Sequence, residues 1–340
     1  MRHKTPRIFP SPTLLLLVSL LLLTPLFLLY SMYLGLAISL LTNRTLLVNW
    51  DSPVSLAKLV ALPADLPLLM PSHLHPAFQK LSNYNLNAWD HPNGYADFPT
   101  NVLKSSDLTK LSDRDVVHFS VGEDWLPALL QNPYLKDDLQ RVFGTRPERV
   151  WSERSLQVVA HELLGFLVKD LSPEARDLFD LSALAPLYAH GISTIGIQIR
   201  IGTNNTSFEP FIDLKKDVPK FWTCADSLLQ RKPDMRIFLA TDSIDVKQQA
   251  LERYGEKLLF FEGPIVHSGN EQLTDEKGHG RSLDGLLKVV VDWWLLGESQ
   301  FLFRSRQSTF GRSATIRRPT PSLLLPTQFE AGCPLPSIFP

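Results

Sequence analysis

The chain of 340 residues is long enough for two domains with their own apolar cores. Its 34 lysines and arginines nearly balance 35 aspartates and glutamates, which removes the electrostatic case for a nucleic-acid partner. Two cysteines, Cys224 and Cys333, exclude a disulfide framework, and their spacing leaves open whether they pair.

No charged side chain occurs between Arg7 and Arg44, and residues 13–30 are mostly leucine behind Arg2, His3, Lys4 and Arg7. This pattern predicts a transmembrane signal anchor over 13–30, a cytosolic tail over 1–12 and a lumenal remainder. A cleavable signal peptide, or one tilted span plus a linker, are the alternatives. A bilayer takes about 20 residues, so the uncharged run exceeds one span. Pro25 offers a break, and Met32 to Leu41 is assigned to a buried helix of the folded part.

Residues 31–185 read as a first α/β domain. Leu46-Leu47-Val48-Asn49-Trp50 and Asp115 to Val121 predict strands, and 124–143 and Val158 to Val168 predict helices. Ser172-Pro173-Glu174 marks a helix start, with serine as cap and proline in the first turn. Asp113-Arg114-Asp115 matches the Asp-x-Asp that holds a divalent metal in many sugar transferases. It precedes its strand, the wrong end for a ligand in a parallel sheet, so it reads as a solvated turn. His161 reads as structural. The loop Asp90-His91-Pro92-Asn93-Gly94-Tyr95 reads as exposed, a place where an acceptor is held.

From 186 to 325 the alternation becomes regular, and 326–340 reads as an irregular tail. Strands are predicted over Ile192–Ile201, Arg236–Ala240, Lys257–Phe261 and Gln300–Arg304. Helices are predicted over 215–231, 245–254 and 283–296, with Gly297 as a C-terminal stop. Strand followed by helix, repeated, implies a parallel doubly wound α/β sheet whose post-strand loops share one edge. Arg200, Asp242, Glu262 and the Ser305–Gly311 turn all follow strands and therefore converge. Arg200 there answers either a nearby carboxylate or a ligand anion. No Gly-x-Gly-x-x-Gly and no Walker loop is present, which argues against NAD and ATP. A guanidinium, a carboxylate for a guanine edge, and Ser308 with Thr309 at a helix start suit a nucleoside diphosphate held without metal.

Four segments resemble the plant xyloglucan-type fucosyltransferases, which are related more distantly to α1,2- and α1,6-fucosyltransferases. They are Gly196-Ile197-Gln198-Ile199-Arg200; the His267, Glu271, Lys277 and His279 loop; Val291-Asp292-Trp293-Trp294-Leu295-Leu296; and Ser305 with Ser308-Thr309-Phe310-Gly311 and Ala314. Leu40 to Arg44 with Leu46-Leu47-Val48 resembles the family's first helix and strand. The resemblance implies two Rossmann-like domains facing a cleft, a GT-B-like layout, with 31–185 on the acceptor side and 186–325 holding the GDP-sugar. It implies a Golgi-membrane, single-pass, lumenal enzyme that transfers fucose from GDP-fucose to a glycan or cell-wall polysaccharide, with inversion and no metal. The donor residues implied or argued from strand ends are Arg200, Gln198, Asp242, His279, Ser305, Ser308, Thr309 and Phe310.

No catalytic base stands out among Asp90, His91, Glu123, Asp124 and His279. Asn204 and Asn205 each begin a glycosylation sequon. The family's Gly-rich turn before the first helix is replaced by leucines, and the Gly-rich stretch after the signature by Thr315 to Pro321. A catalytically inactive glycan- or nucleotide-sugar-binding relative, or another GDP-sugar transferase, are therefore the competing readings.

Overall fold

A computed structural model of the chain describes residues 15–19, 25–49, 56–63, 83–87, 96–113, 116–120, 125–147, 149, 152–180, 182–201, 212–263, 283–306, 308–318, 322–325 and 333. Within these, the chain divides into two compact units.

The leucine run is the largest departure from expectation. Leu15–Ser19 form strand β1, not part of a membrane helix over 13–30. Helix α1 covers Pro25–Thr42 and is followed by strand β2, Thr45–Asn49. Strand β1 pairs in parallel with β2, Leu15 beside Thr45 and Val18 beside Val48. A strand inside a parallel sheet is covered on both faces, so its sequence is as continuously apolar as a membrane span. Pro25 does break the run, as the first residue of a helix rather than inside one. The helix expected over 32–41 is the second half of α1, where Met32, Tyr33, Leu34, Ala37, Ile38 and Leu41 are buried. No helix among the described residues is long and apolar enough to cross a membrane. Asn43 leaves α1 with a left-handed φ of 53°, and Arg44 N–H donates to Ser39 O at 2.8 Å. That closes the helix and turns the chain into β2.

The two-residue strand β3 (Val60–Ala61) is followed by β4 (Asn83–Asn87) and β5 (Val116–Ser120). The first unit is built on a four-stranded sheet in the order β2-β1-β5-β4, all parallel. Asp113 closes a 3-10 turn just before β5, at the strand's amino end, as its sequence position implies. The helical stretch expected over 124–143 is broken into α2 (Leu126–Leu129), a 3-10 turn at Pro133–Leu135 and α3 (Lys136–Phe143). Asn132 makes the break: its side chain accepts from Tyr134 N–H and donates to the carbonyls of Leu103 and Ser106.

The second unit comprises 20–33, 50–66 with strand β3, and the chain from 151 on, which begins with α4 (Glu153–Leu167). Strand β6 (Asp170–Leu171) and helices α5 (Pro173–Asp180) and α6 (Ala185–Ala189) follow in the second unit. Strand β6 pairs with β3, and α4 and α5 lie on the later helices of this unit, which is why they belong to it. Ser172 Oγ accepts from Ala175 N–H at 3.0 Å, the cap expected at α5. His161 is structural, its Nδ1 3.1 Å from Ile316 O.

Then come β7 (Thr194–Ile199), α7 (Val218–Arg231), β8 (Arg236–Thr241), α8 (Ile244–Tyr254) and β9 (Leu258–Leu259). Helix α9 (Leu283–Glu298), β10 (Phe301–Ser305), α10 (Thr309–Arg317) and β11 (Ser322–Leu325) complete the unit. The sheet order is β11-β10-β7-β8-β9, all parallel. The strand that comes first in sequence is central, and later strands add outward on either side. The switch point therefore lies between β7 and β10.

The alternating pattern of β7 predicts one polar face, yet all six residues are buried, Gln198 included. A Cβ on Gly196 would lie 2.7 Å from Ser299 Oγ, so the second face is closed by the chain leading into β10. Gly297 lies inside α9 and not beyond it. A Cβ there would meet Arg317 Nε at 2.7 Å; the glycine makes room for a guanidinium. Arg317 stacks 3.9 Å from the Trp294 ring centroid and donates to Trp294 O and Glu298 Oε1 at 2.6 and 2.8 Å. Together with the 3.1 Å bond from Trp293 Nε1–H to Ser313 Oγ, this fixes α10 against α9.

Cys224, buried on α7, is bonded to Cys333, and Cys333 packs against the core between α7 and the sheet. The bond closes a loop of 109 residues. Loop-closure entropy then predicts that Cys333→Ser lowers unfolding free energy by about 4–5 kcal/mol. Calorimetry with and without reductant checks this: the wild-type midpoint should fall on reduction and the variant's should not move.

Candidate functional site

The carboxyl end of β7 is held on both sides by side chains of its neighbours. Ser305, the last residue of β10, accepts from Arg200 N–H at 3.0 Å and donates to Gln198 O at 3.2 Å. Gln198 Oε1 accepts the Ser305 N–H in return, at 3.2 Å. On the other side Asp242, just past β8, accepts from Ile201 N–H through Oδ1 at 2.8 Å. Three backbone N–H groups that leave the sheet without ladder partners are satisfied this way, which a buried strand end requires.

These bonds divide the expected donor residues. Gln198 and Ser305 are buried, and their polar groups tie β7 to β10. Arg200 emerges from the lock half-buried. Burial lowers its pKa from the ordinary arginine value, and the Asp242 charge opposes that shift. Asp242 is thus counter-charge to Arg200 and loop anchor, with Oδ1 accepting the Ile201 N–H. Glu262 is exposed and pairs with Lys247 at 3.1 Å. His279, Asp90, His91, Glu123, Asp124 and the 202–211 and 264–282 loops lie outside the described residues.

The turn after β10 brings a helix start to the same place. Ser308 N–H donates to Ser305 O at 3.0 Å, and α10 begins at Thr309. Ser308 occupies the capping position but makes no capping bond, and its hydroxyl is buried without a hydrogen-bond partner. A helix amino end attracts anions through its open N–H groups and dipole. Thr309 and Phe310 form the half-buried first turn. The close approach depends on Gly311, where a Cβ would fall 2.7 Å from Gln198 Oε1 and 2.8 Å from Arg304 Cβ. The Ser-Thr-Phe-Gly segment thus owes its glycine to contact between α10 and the strand ends.

One buried carboxylate of the second unit escaped assignment from sequence. Asp292, in the apolar helix α9, is buried, bonded through Oδ2 to Lys288 Nζ at 2.5 Å, with Oδ1 unpartnered. Burial raises its carboxyl pKa and Lys288 opposes the rise. The Lys288 stem packs where a Cβ of Gly263 would sit, 3.1 Å away, just beyond β9. The signal was present as the lone carboxylate in Val289 to Leu296. Among the described residues no group of three or more His, Cys, Asp or Glu side chains is placed to hold a metal ion.

No protein-family model matches the sequence, and no curated protein sequence matches it. Solved structures do match by fold. An arginine-to-lysine variant of FUT1 from Arabidopsis thaliana, in complex with GDP, superposes with a TM-score of 0.62 at 15% identity, covering 92% of this chain and 69% of that one. NodZ, an α-1,6-fucosyltransferase from Bradyrhizobium co-crystallised with GDP, gives 0.52 at 16% identity, covering 91% and 94%. NodZ soaked with GDP-fucose gives 0.51 at 15% identity, covering 90% and 93%. The chain shares the mixed α/β fold of these proteins across nearly its whole length.

The lock makes two predictions. Ser305→Ala strips the partner from the buried Arg200 N–H and should cost about 1–2 kcal/mol. Gly311→Ala should cost about 1–3 kcal/mol through overpacking against Gln198 and Arg304. Urea unfolding measures both; a neutral Gly311→Ala would contradict the close approach.

Proposed function

We propose that this chain transfers fucose from GDP-fucose to a glycan hydroxyl, with inversion and without a metal ion. One observation carries the reading. Ser305 bonds both the Arg200 main-chain N–H and the Ser308 N–H at the start of α10, so at the switch point of the second sheet it anchors the backbone of a half-buried arginine and a helix start with an unpartnered Ser308 hydroxyl. A diphosphate is the ligand chemistry that such a pair fits. The fold shared with GDP-bound fucosyltransferases supports the choice of nucleotide and sugar.

In this reading Arg200 grips the diphosphate bidentately, and the α10 N–H groups and Ser308 Oγ take its remaining oxygens. Thr309 and Phe310 line the donor. Asp242 accepts an N–H from the guanine edge beside its bond to Ile201. When the bond from the anomeric carbon to phosphate oxygen breaks, GDP leaves with the electron pair, and these groups stabilise the charge that develops. The acceptor oxygen bonds to the opposite face of that carbon and loses its proton to a base. A disulfide between Cys224 and Cys333 and the sequons at Asn204 and Asn205 support a lumenal, oxidising compartment such as the Golgi.

A second reading is favoured by one feature. Residues 20–24, which join β1 to α1, are four leucines and a threonine with no glycine. Glycine is what lets a backbone approach a phosphate closely, so its absence from that segment fits a relative that binds the nucleotide sugar without turning it over.

Titrating GDP into the full chain tests the site. Arg200→Ala should lose about 2 kcal/mol of affinity or more, roughly thirtyfold, since it removes a charged bidentate partner. Unchanged affinity would sink the assignment, and affinity lost on adding EDTA would contradict the metal-free mechanism. GDP binding without release of fucose from GDP-fucose would select the second reading.

A further inference from the structure

The turn between α1 and β2 carries a modification signal that the donor site does not use. Asn43-Arg44-Thr45 has the acceptor pattern Asn-x-Thr, with arginine and not proline in the middle. It joins a buried helix to a buried strand, so chain order alone leaves no room there for a bulky group. The structure places it differently. Asn43 and Thr45 are both exposed, and only Arg44 between them is buried, at 8% exposure.

The backbone around the pattern is already closed. Arg44 N–H donates to Ser39 O at 2.8 Å, Thr42 Oγ1 to Ile38 O at 2.7 Å, and Arg141 Nη2 to Leu40 O at 3.3 Å. The first of these bonds, with Asn43 at a φ of 53°, is the left-handed closure of a helix end. Asparagine tolerates that conformation better than other residues with a side chain. Its amide takes no part in the closure. Neither the Asn43 amide nor the Thr45 hydroxyl has a hydrogen-bond partner among the described residues. The two groups that an acceptor sequon needs thus stand in solvent on a fixed backbone.

Strand β2 is outermost in the first sheet, and Thr45 is its first residue. The turn therefore lies at the amino edge of a parallel sheet, opposite the edge where ligands bind in such sheets. A glycan there leaves the carboxyl ends clear and covers the start of an edge strand, where a second chain would otherwise begin to pair. We propose that Asn43 carries an N-linked glycan, a site that rests on the lumenal compartment read above and not on transferase activity. The sugar donor is an oligosaccharide on a polyprenyl diphosphate, and the catalyst is the oligosaccharyltransferase of the secretory pathway. The bond from the anomeric carbon to the diphosphate oxygen breaks, and its electron pair leaves with that oxygen. The Asn43 amide nitrogen bonds to the carbon and gives up one proton to solvent. Transfer precedes folding, so the fold must accommodate the product, and an exposed turn does so.

The test expresses the full chain in a eukaryotic secretory host and releases N-glycans with peptide N-glycosidase in heavy-oxygen water. Each formerly glycosylated asparagine becomes a labelled aspartate, which peptide mass spectrometry locates. Label at position 43 is the expected result. Thr45→Val keeps a β-branched residue at the start of β2 and should remove that label, whereas Thr45→Ser should keep it. Asn43→Gly keeps the left-handed turn and should lower the mass of the intact chain by one glycan. Because the glycan is added before folding, these readouts do not depend on a variant's stability. Label at 204 or 205 with none at 43 overturns this site and leaves the compartment standing. No label anywhere overturns the compartment and the site together. Label at 43 that survives Thr45→Val overturns recognition through the sequon. GDP titrated into the same protein reports on the transferase reading alone, whichever of these results is found.

Discussion

The donor edge of this protein depends on what happens to the backbone where β7 ends. A central strand of a parallel sheet stops inside the protein, and its last N–H groups have no ladder partner there. Here Ser305 and Asp242 supply the partners from the two flanking strands, and Gln198 returns a bond to Ser305. Arg200 is consequently anchored by its own main chain, with its half-buried guanidinium within the influence of the Asp242 charge. A buried cation held so firmly needs little reorganisation to meet an anion, which is how preorganised sites gain affinity.

The same edge is supported from behind. Helix α10 presents its amino end to the site and its carboxyl end to α9. There Arg317 lies on Trp294 and bonds Glu298, and Trp293 reaches Ser313. Three glycines take their places from close contacts: Gly196 beneath Ser299, Gly297 beneath Arg317 and Gly311 against Gln198. Such contacts constrain the backbone strongly and the rest of the sequence weakly. A fold shared with fucosyltransferases at 15–16% identity is compatible with that division.

Much of the second unit was legible in advance. Strands β7, β8 and β10 and helices α7, α8 and α9 fall within a few residues of their expected places, because isoleucine alternation and helical spacing are local signals. The convergence of Arg200, Asp242 and the Ser305–Gly311 turn also followed from strand–helix alternation alone. Roles were less legible than positions. Gln198 and Ser305 turned out to hold the backbone, Asp242 has one oxygen bound, and the unpartnered carboxylate oxygen belongs to Asp292 on a helix. Hydrogen-bond partners come from elements a hundred residues apart, and no local pattern encodes them.

By itself, the sequence determined the α/β class, the order of elements after 190 and the residue types that share one edge of the second sheet. Tertiary structure alone decided what the leucine run is. An apolar stretch records only that it avoids water; whether a bilayer or neighbouring strands shelter it depends on what pairs with it. Here β2 and β5 flank Leu15–Ser19, so the same leucines that satisfy a membrane scale form a strand of the first sheet. Tertiary structure also decided that Cys224 meets Cys333, and that Gly297 serves a guanidinium and not a helix end. Each is a question of which distant atoms occupy a space, and chain order does not carry that information.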